Sequence, residues 1–137
     1  MDRLPRAVGR RPKRGRLSRS AEFERVYRQG RSVGNRFLVL YSFPRSSAGE
    51  PADGTRLGVS VSRKVGGAVE RNRMKRLLRE AFWSSAEDLR DGHDFVIVAR
   101  PAAGELARQG GEQAIEAELR EVLSSAGLAQ RPEDEGA

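Results

Sequence analysis

Residues 66–83 read Gly-Gly-Ala-Val-Glu-Arg-Asn-Arg-Met-Lys-Arg-Leu-Leu-Arg-Glu-Ala-Phe-Trp, and their spacing predicts a helix with two different faces. Starting from Met74, apolar side chains recur three, four, seven and eight positions later, which is typical of a helix face that packs on a core. The other face is basic, with five basic and no acidic residues from position 71 to 79. A solvated helix face usually mixes both signs in pairs. We therefore expect this helix to contact a polyanion.

The 137-residue chain has a net charge of +7, and this charge is unevenly distributed. Residues 1–45 hold 13 basic and 3 acidic side chains, whereas residues 101–137 hold 3 and 8. This balance favours nucleic acid over an anionic membrane surface as the partner. The chain has no cysteine, which excludes disulfides and cysteine-based zinc sites. Neither a run of about 18 apolar residues nor a secretory signal is readable, so we expect a cytoplasmic protein without a membrane partner.

The chain divides into an arm, a domain and a tail. Residues 1–16 carry seven basic side chains and two prolines without apolar periodicity, which predicts a flexible basic arm. Residues 17–126 predict a single RNA-binding α+β domain, and residues 127–137 predict a flexible acidic tail.

Within the domain, hydrophobic periodicity and turn residues predict the element order α-β-β-β-α-β-α. We predict a helix from the N-cap Ser20 to Gly30, strands near 32–33 and over 36–43 and 56–63, the basic helix from residue 68, a strand over 94–100 and a last helix over about 111–125. These elements favour one sheet of about four strands with helices on one side. The open side of that sheet could hold a ligand.

The sequence predicts neither catalytic residues nor a metal site. His93 is the only histidine and is expected in a turn. Ser60 and Ser62 lack a visible base and are expected on the polar face of a strand. The acidic residues near the end of the basic helix match no calcium-binding loop and predict a solvated turn; they are Glu87, Asp88, Asp91 and Asp94.

Three aromatic residues could bind single-stranded RNA. Phe23 and Tyr27 are four residues apart on the first predicted helix, and Tyr41 lies on the strand over 36–43. Bases of single-stranded RNA stack on such rings beside basic residues. Packing in the core is the better explanation for Phe23 taken alone. For the two tyrosines both explanations stay open, because a phenol hydroxyl needs a polar partner or solvent.

Two segments carry a specific pattern: Val59-Ser60-Val61-Ser62-Arg63-Lys64, then Ala68-Val69-x-Arg71-Asn72-Arg73-x-Lys75-Arg76-Leu77-x-Arg79. This pattern resembles the signature of the protein subunit of bacterial ribonuclease P, and the resemblance covers about residues 16–125. In that family a catalytic RNA with magnesium ions hydrolyses a phosphodiester to remove the 5′ leader of precursor tRNA. The protein is not the catalyst, and it helps to bind leader and metal.

The resemblance implies a fold and two sets of site residues. The fold is a sandwich like a ribosomal-protein domain, with a left-handed β-α-β crossover. The residues implied to bind the catalytic RNA are Arg63, Lys64, Arg71, Asn72, Arg73, Lys75, Arg76 and Arg79. Those implied to bind the leader are Phe23, Tyr27, Tyr41, Ser60 and Ser62.

The resemblance also implies the partners and the cofactor. The partners are the ribonuclease P catalytic RNA, with one protein per RNA, and the 5′ leader of precursor tRNA. Mg²⁺ serves the RNA–protein holoenzyme, and none is bound tightly by the protein itself. This sequence departs from the family at Gly67, where asparagine is common, and at Tyr27, where phenylalanine is common. The alternative is a ribosomal or other ribonucleoprotein scaffold, which would bind RNA without recognising a leader.

Overall fold

A computed structural model describes residues 14–44, 54–87, 89 and 92–128 of the chain. The described residues form five strands and three helices, joined in part by a short 3-10 helix. The elements are β1 (Arg14–Arg16), α1 (Ser20–Gln29), β2 (Arg31–Gly34), β3 (Leu38–Pro44), β4 (Thr55–Val61), the 3-10 helix (Arg63–Val65), α2 (Ala68–Ser85), β5 (His93–Ala99) and α3 (Pro101–Ser125). This confirms the predicted α+β class. Most of the predicted arm and tail lies outside the described residues.

One five-stranded sheet has the order β1-β4-β5-β3-β2. The pairs β1–β4 and β4–β5 are parallel, whereas β3 pairs antiparallel with both β5 and β2. The sequence predicted about four strands and assigned residues 14–16 to the arm, which is wrong for these three residues. Arg14–Arg16 pair with the edge of β4 through the backbone, with Arg14 opposite Thr55 and Arg16 opposite Leu57. Such pairing needs no apolar side chains, so no hydrophobic pattern marks it.

The helix α2 links the neighbouring parallel strands β4 and β5 in a left-handed crossover. Side chains of Leu57, Val59 and Val61 point to the face that α2 and α3 cover. The Leu57 carbonyl points toward β1, where it accepts a hydrogen bond from the Leu17 N–H. Consider a strand of L-residues viewed so that the chain runs upward. A residue whose side chain points toward the viewer then has its carbonyl on the right. β1 is therefore to the right and β5 to the left of β4, opposite to the usual right-handed connection.

The larger core lies between the sheet and the helices α2 and α3. The predicted apolar stripe of α2 is confirmed, since Met74, Leu77, Leu78, Ala81 and Phe82 are all buried. They pack with the odd-numbered side chains of β4 and with buried residues of α3.

The last helix begins earlier than predicted. α3 begins at Pro101, which was interpreted only as the end of a strand, and not near residue 111. Proline fits the first turn of a helix because the backbone N–H that it lacks is unpaired there. Gly111, with φ at 74°, breaks the helix and hides its continuity in the sequence pattern.

The second face of the sheet carries α1, so helices lie on both faces and not on one side as the element pattern predicted. Val26 of α1 packs with Leu17 and Val96, and Tyr41 and Phe43 contact the same cluster. The N-cap of α1 is Arg19, not Ser20 as predicted.

Candidate nucleic-acid interface

Three aromatic rings and one serine side chain lie between α1 and the sheet. We call them the aromatic cluster, and they belong to Phe23, Tyr27, Tyr41 and Ser60. The Tyr27 and Tyr41 ring centroids are 4.9 Å apart with the rings at 68° to each other. The Phe23 and Tyr27 centroids are 6.2 Å apart. The Tyr27 hydroxyl also lies near the Ser60 side chain of β4. Three separate elements thus bring together four of the five side chains expected to bind the leader.

The aromatic cluster is neither fully core nor fully surface. Phe23 packs on the small core beneath α1, whereas Tyr27 is 37% exposed. Burial raises the pKa of Tyr27; the nearby Ser60 hydroxyl opposes this rise and the nearby Tyr41 adds to it. The Tyr27 phenol is therefore neutral at physiological pH. In this form its hydroxyl can donate or accept a hydrogen bond, and its ring remains accessible for stacking.

Ser62, the fifth of these side chains, has a different local role. Its hydroxyl caps the short 3-10 helix by accepting a hydrogen bond from the Lys64 N–H at 3.2 Å. Val65 anchors the same turn in the core. Arg63 and Lys64 are exposed on this turn, which leads from β4 directly to the start of α2.

The side chains on the basic face of α2 differ in how far they are exposed to solvent. Asn72, Arg73 and Arg76 are exposed, whereas Arg71, Lys75 and Arg79 are half-buried. Near the start of the helix, Glu70 accepts a hydrogen bond from the Gly67 N–H at 2.7 Å, so the helix begins without an asparagine cap.

β1 extends this basic face, which no pattern in the sequence indicated. Arg79 has a buried Nε atom without a hydrogen-bond partner in the described structure. Burial lowers the pKa of Arg79, and the charge of Arg16 on β1 lowers it further. The Arg14 guanidinium lies 5.0 Å from the ring centroid of Trp83. Arg14 and Arg16 of β1 therefore lie beside α2. We call α2, the 3-10 helix and β1 together the basic surface.

Asp94 is not in a solvated turn, which corrects the prediction for that residue. Its side chain is fully buried, and Arg56 donates to both carboxylate oxygens, at 2.9 and 2.8 Å. Arg56 and Asp94 are register partners on β4 and β5, so strand pairing brings them together. Glu87 is exposed, whereas Asp88 and Asp91 lie outside the described residues.

The other candidates for chemistry have local contacts. His93 is the first residue of β5, not a turn residue, and its ring stacks on Phe95 with centroids 6.0 Å apart. Within the described ranges, no three His, Cys, Asp or Glu side chains are grouped so that they could hold a metal ion. None of the described helices is both long and apolar enough to cross a membrane.

Comparisons with known proteins agree on one family. A family model described as Ribonuclease P matches residues 12–126. The ribonuclease P protein component of Clostridium acetobutylicum is 41% identical over 116 residues, which is 85% of this chain and 92% of that protein. The structure of the Staphylococcus aureus RNase P protein has 34% identity and a TM-score of 0.66, covering 82% of this chain and 95% of that one. The RNase P protein of Thermotoga maritima has 26% identity and a TM-score of 0.65, with 80% and 96% covered.

Proposed function

The chain belongs to the ribonuclease P protein family, and from this premise we propose that it is the non-catalytic protein subunit of ribonuclease P. In this role it binds a catalytic RNA and assists the endonucleolytic removal of the 5′ leader from precursor tRNA. The observation that carries the proposal is the placement of two different surfaces on one small domain. The aromatic cluster lies on the sheet face that carries α1, whereas α2 covers the opposite face. One protein can therefore contact two RNA segments at once.

The basic surface is the proposed seat of the catalytic RNA. Its exposed cations lie on a rigid helix whose other side is fixed in the core. Neutralising RNA phosphates with such residues releases counterions and stabilises the complex. Arg79 Nε, which has no hydrogen-bond partner among the described residues, and the nearby charge of Arg16 favour an anion between α2 and β1. We propose this binding role for Arg63, Lys64, Arg71, Asn72, Arg73, Lys75, Arg76 and Arg79, with Arg14 and Arg16 added by the structure.

The aromatic cluster is the proposed site for the leader. A single-stranded leader exposes its bases, and an accessible tyrosine ring can stack with them without reading sequence. The Ser60 hydroxyl and the Tyr27 phenol supply polar groups beside the rings. Ser62 joins this site only as the cap that orders the turn carrying Arg63 and Lys64.

The remaining parts of the proposal concern the holoenzyme. We assign the Mg²⁺ ions to the RNA–protein complex, as the family resemblance implies, and propose that the protein alone binds none tightly. We propose one protein per catalytic RNA, acting in the cytoplasm, where precursor tRNA is made. With β1 included, residues 14–126 are the proposed RNA-binding domain, and the basic side chains before Arg14 add to its attraction for RNA.

Binding of precursor and mature tRNA to the reconstituted holoenzyme tests the proposal. Tyr41→Ala removes one ring of the cluster, and base–aromatic stacking contributes about 1–3 kcal/mol per base. We expect affinity for precursor tRNA to fall at least about fivefold, the lower end of that range, with mature tRNA unaffected. Arg73→Ala serves as the matched variant, because it should weaken protein binding to the catalytic RNA and leave the precursor preference intact. Equal losses for both tRNAs in Tyr41→Ala would refute the leader site.

A further inference from the structure

A buried ion-pair network connects the sheet to α1. Arg56 of β4 donates to Asp94 of β5 through Nε and Nη2, and through Nη1 to Glu22 in the first turn of α1, at 2.9 Å. Arg25, one turn further along α1, lies 3.7 Å from the same Asp94 carboxylate. We call Arg56, Asp94 and Glu22 the Arg56 bridge.

The Arg56 bridge is rigid on the sheet side. Asp94 is fully buried and Arg56 is 26% exposed, so solvent screens their attraction only weakly. Two parallel N–H···O bonds hold the planar guanidinium in one orientation, which a lysine ammonium cannot reproduce. The hydrogen bond to Asp94 raises the pKa of Arg56, although burial opposes this rise. The third donor group of Arg56 therefore reaches α1 from a fixed position.

Apolar packing alone holds α1 weakly. Val26 is the only residue of this helix that is fully buried. Val26 contacts Leu17 and Val96, and the half-buried Phe23 packs on the same cluster, so few apolar side chains hold the helix on the sheet. Glu22 and Arg25, three residues apart on one side of α1, add two polar contacts with the sheet: Glu22 pairs with Arg56 and Arg25 with Asp94, which restrains rotation and sliding of the helix.

The leader site depends on the placement that these contacts fix. Phe23 directly follows Glu22, and its ring lies so close to the β4 backbone that a Cβ at Gly58 would overlap it. Tyr27, one turn later, reaches Tyr41 and Ser60 on the sheet. A small shift of α1 would therefore separate its aromatic side chains from the sheet side of the cluster.

We infer that Arg56 is a positioning residue for leader binding, which sets the place of Phe23 and Tyr27 by joining Glu22 to Asp94. This inference rests on the proposed function of the aromatic cluster. Neither Arg56 nor Asp94 needs to touch RNA, since their role is to hold α1 against the sheet.

The test compares variants of two acidic residues on α1 in the reconstituted holoenzyme. Glu22→Ala removes the acceptor for Arg56, Glu22→Gln keeps an oxygen acceptor, and Glu24→Ala removes an exposed acid that pairs only with Arg28 among the described residues. The readouts are the ratio of precursor to mature tRNA affinity and the affinity of the protein for catalytic RNA. Circular dichroism confirms that each variant is folded.

We expect Glu22→Ala to lower the precursor preference at least threefold while affinity for mature tRNA and for the catalytic RNA stays unchanged. Glu22→Gln should keep most of the preference, and Glu24→Ala should keep all of it. Arg56→Lys keeps the positive charge but cannot form the two parallel hydrogen bonds to Asp94. It should therefore lower the precursor preference as Glu22→Ala does.

Two results would overturn the inference, and they differ in what else they refute. If Tyr41→Ala loses the preference but folded Glu22→Ala and Arg56→Lys keep it, the positioning role alone is wrong. If the wild-type holoenzyme shows no preference for precursor tRNA, the leader site and the positioning role are both wrong.

Discussion

Replacing Arg73 and Arg76 with alanine should flatten the salt dependence of catalytic-RNA binding. Both side chains are exposed on α2 and form no ion pair within the described parts of the chain. The buried stripe of α2 lies on its other side, and alanine is the better helix former, so the fold should persist. The double variant therefore changes charge on the basic surface without disturbing the core.

The expected magnitude follows from counterion release. Each phosphate contact contributes about 0.7–0.9 to the slope of log affinity against log salt, so two lost contacts lower the slope by about 1.4–1.8. Between about 50 and 200 mM monovalent salt, wild-type affinity should then fall about 7- to 12-fold more than that of the variant. At the lower salt concentration the variant should bind clearly more weakly.

Fluorescence titration of labelled catalytic RNA at fixed free magnesium measures both slopes. Arg120→Ala is the matched control, because Arg120 is an exposed arginine on α3, away from the basic surface. The control should reproduce the wild-type slope. If the double variant has the wild-type slope, or if Arg120→Ala lowers it equally, the assignment of α2 to the RNA contact is refuted.

Three further predictions concern stability. Burial would raise the pKa of Glu22, but the Arg56 charge and hydrogen bonds lower it below 4.5. Ionised Glu22 therefore stabilises the fold above that pH. In urea unfolding, Glu22→Gln should have a lower free energy of unfolding than the wild type, and this difference should shrink as the pH falls below 4.5. Gly104→Ala should cost about 1–3 kcal/mol in urea unfolding, because its Cβ would overlap the Val65 carbonyl, and an unchanged midpoint would contradict this close approach. Gly67→Asn should raise the free energy of unfolding by about a few tenths of a kcal/mol, because Gly67 has extended N-cap geometry and asparagine is the better N-cap residue. A lower melting temperature would refute that reasoning.

Local patterns predicted the elements that have one strong period. The stripe from Met74 to Phe82 predicted which side of α2 is buried, and the alternation from Leu57 to Val61 predicted which face of β4 packs on the larger core. β1 and the start of α3 were missed because backbone pairing and Pro101 leave no apolar period. The handedness of the crossover came from the family resemblance, since a local period carries no information about it.

The candidate site was predictable where it depends on short spacing. Phe23 and Tyr27 are one turn apart, so their shared face could be predicted, and the structure places Tyr41 beside them. The Arg56 bridge could not be predicted, because Arg56 and Asp94 are 38 positions apart and meet only through parallel pairing of β4 with β5. An acidic residue beside other acids suggests a solvated turn until its distant partner is known.

Cleavage of precursor tRNA at low magnesium tests the central claim most directly. The assay compares the protein alone, bacterial ribonuclease P RNA alone and the two together, with the 5′ leader labelled. We predict that the mixture releases the leader faster than the RNA alone and that the protein alone releases none. Leader release by the protein alone, or a mixture no faster than the RNA alone, would contradict the account.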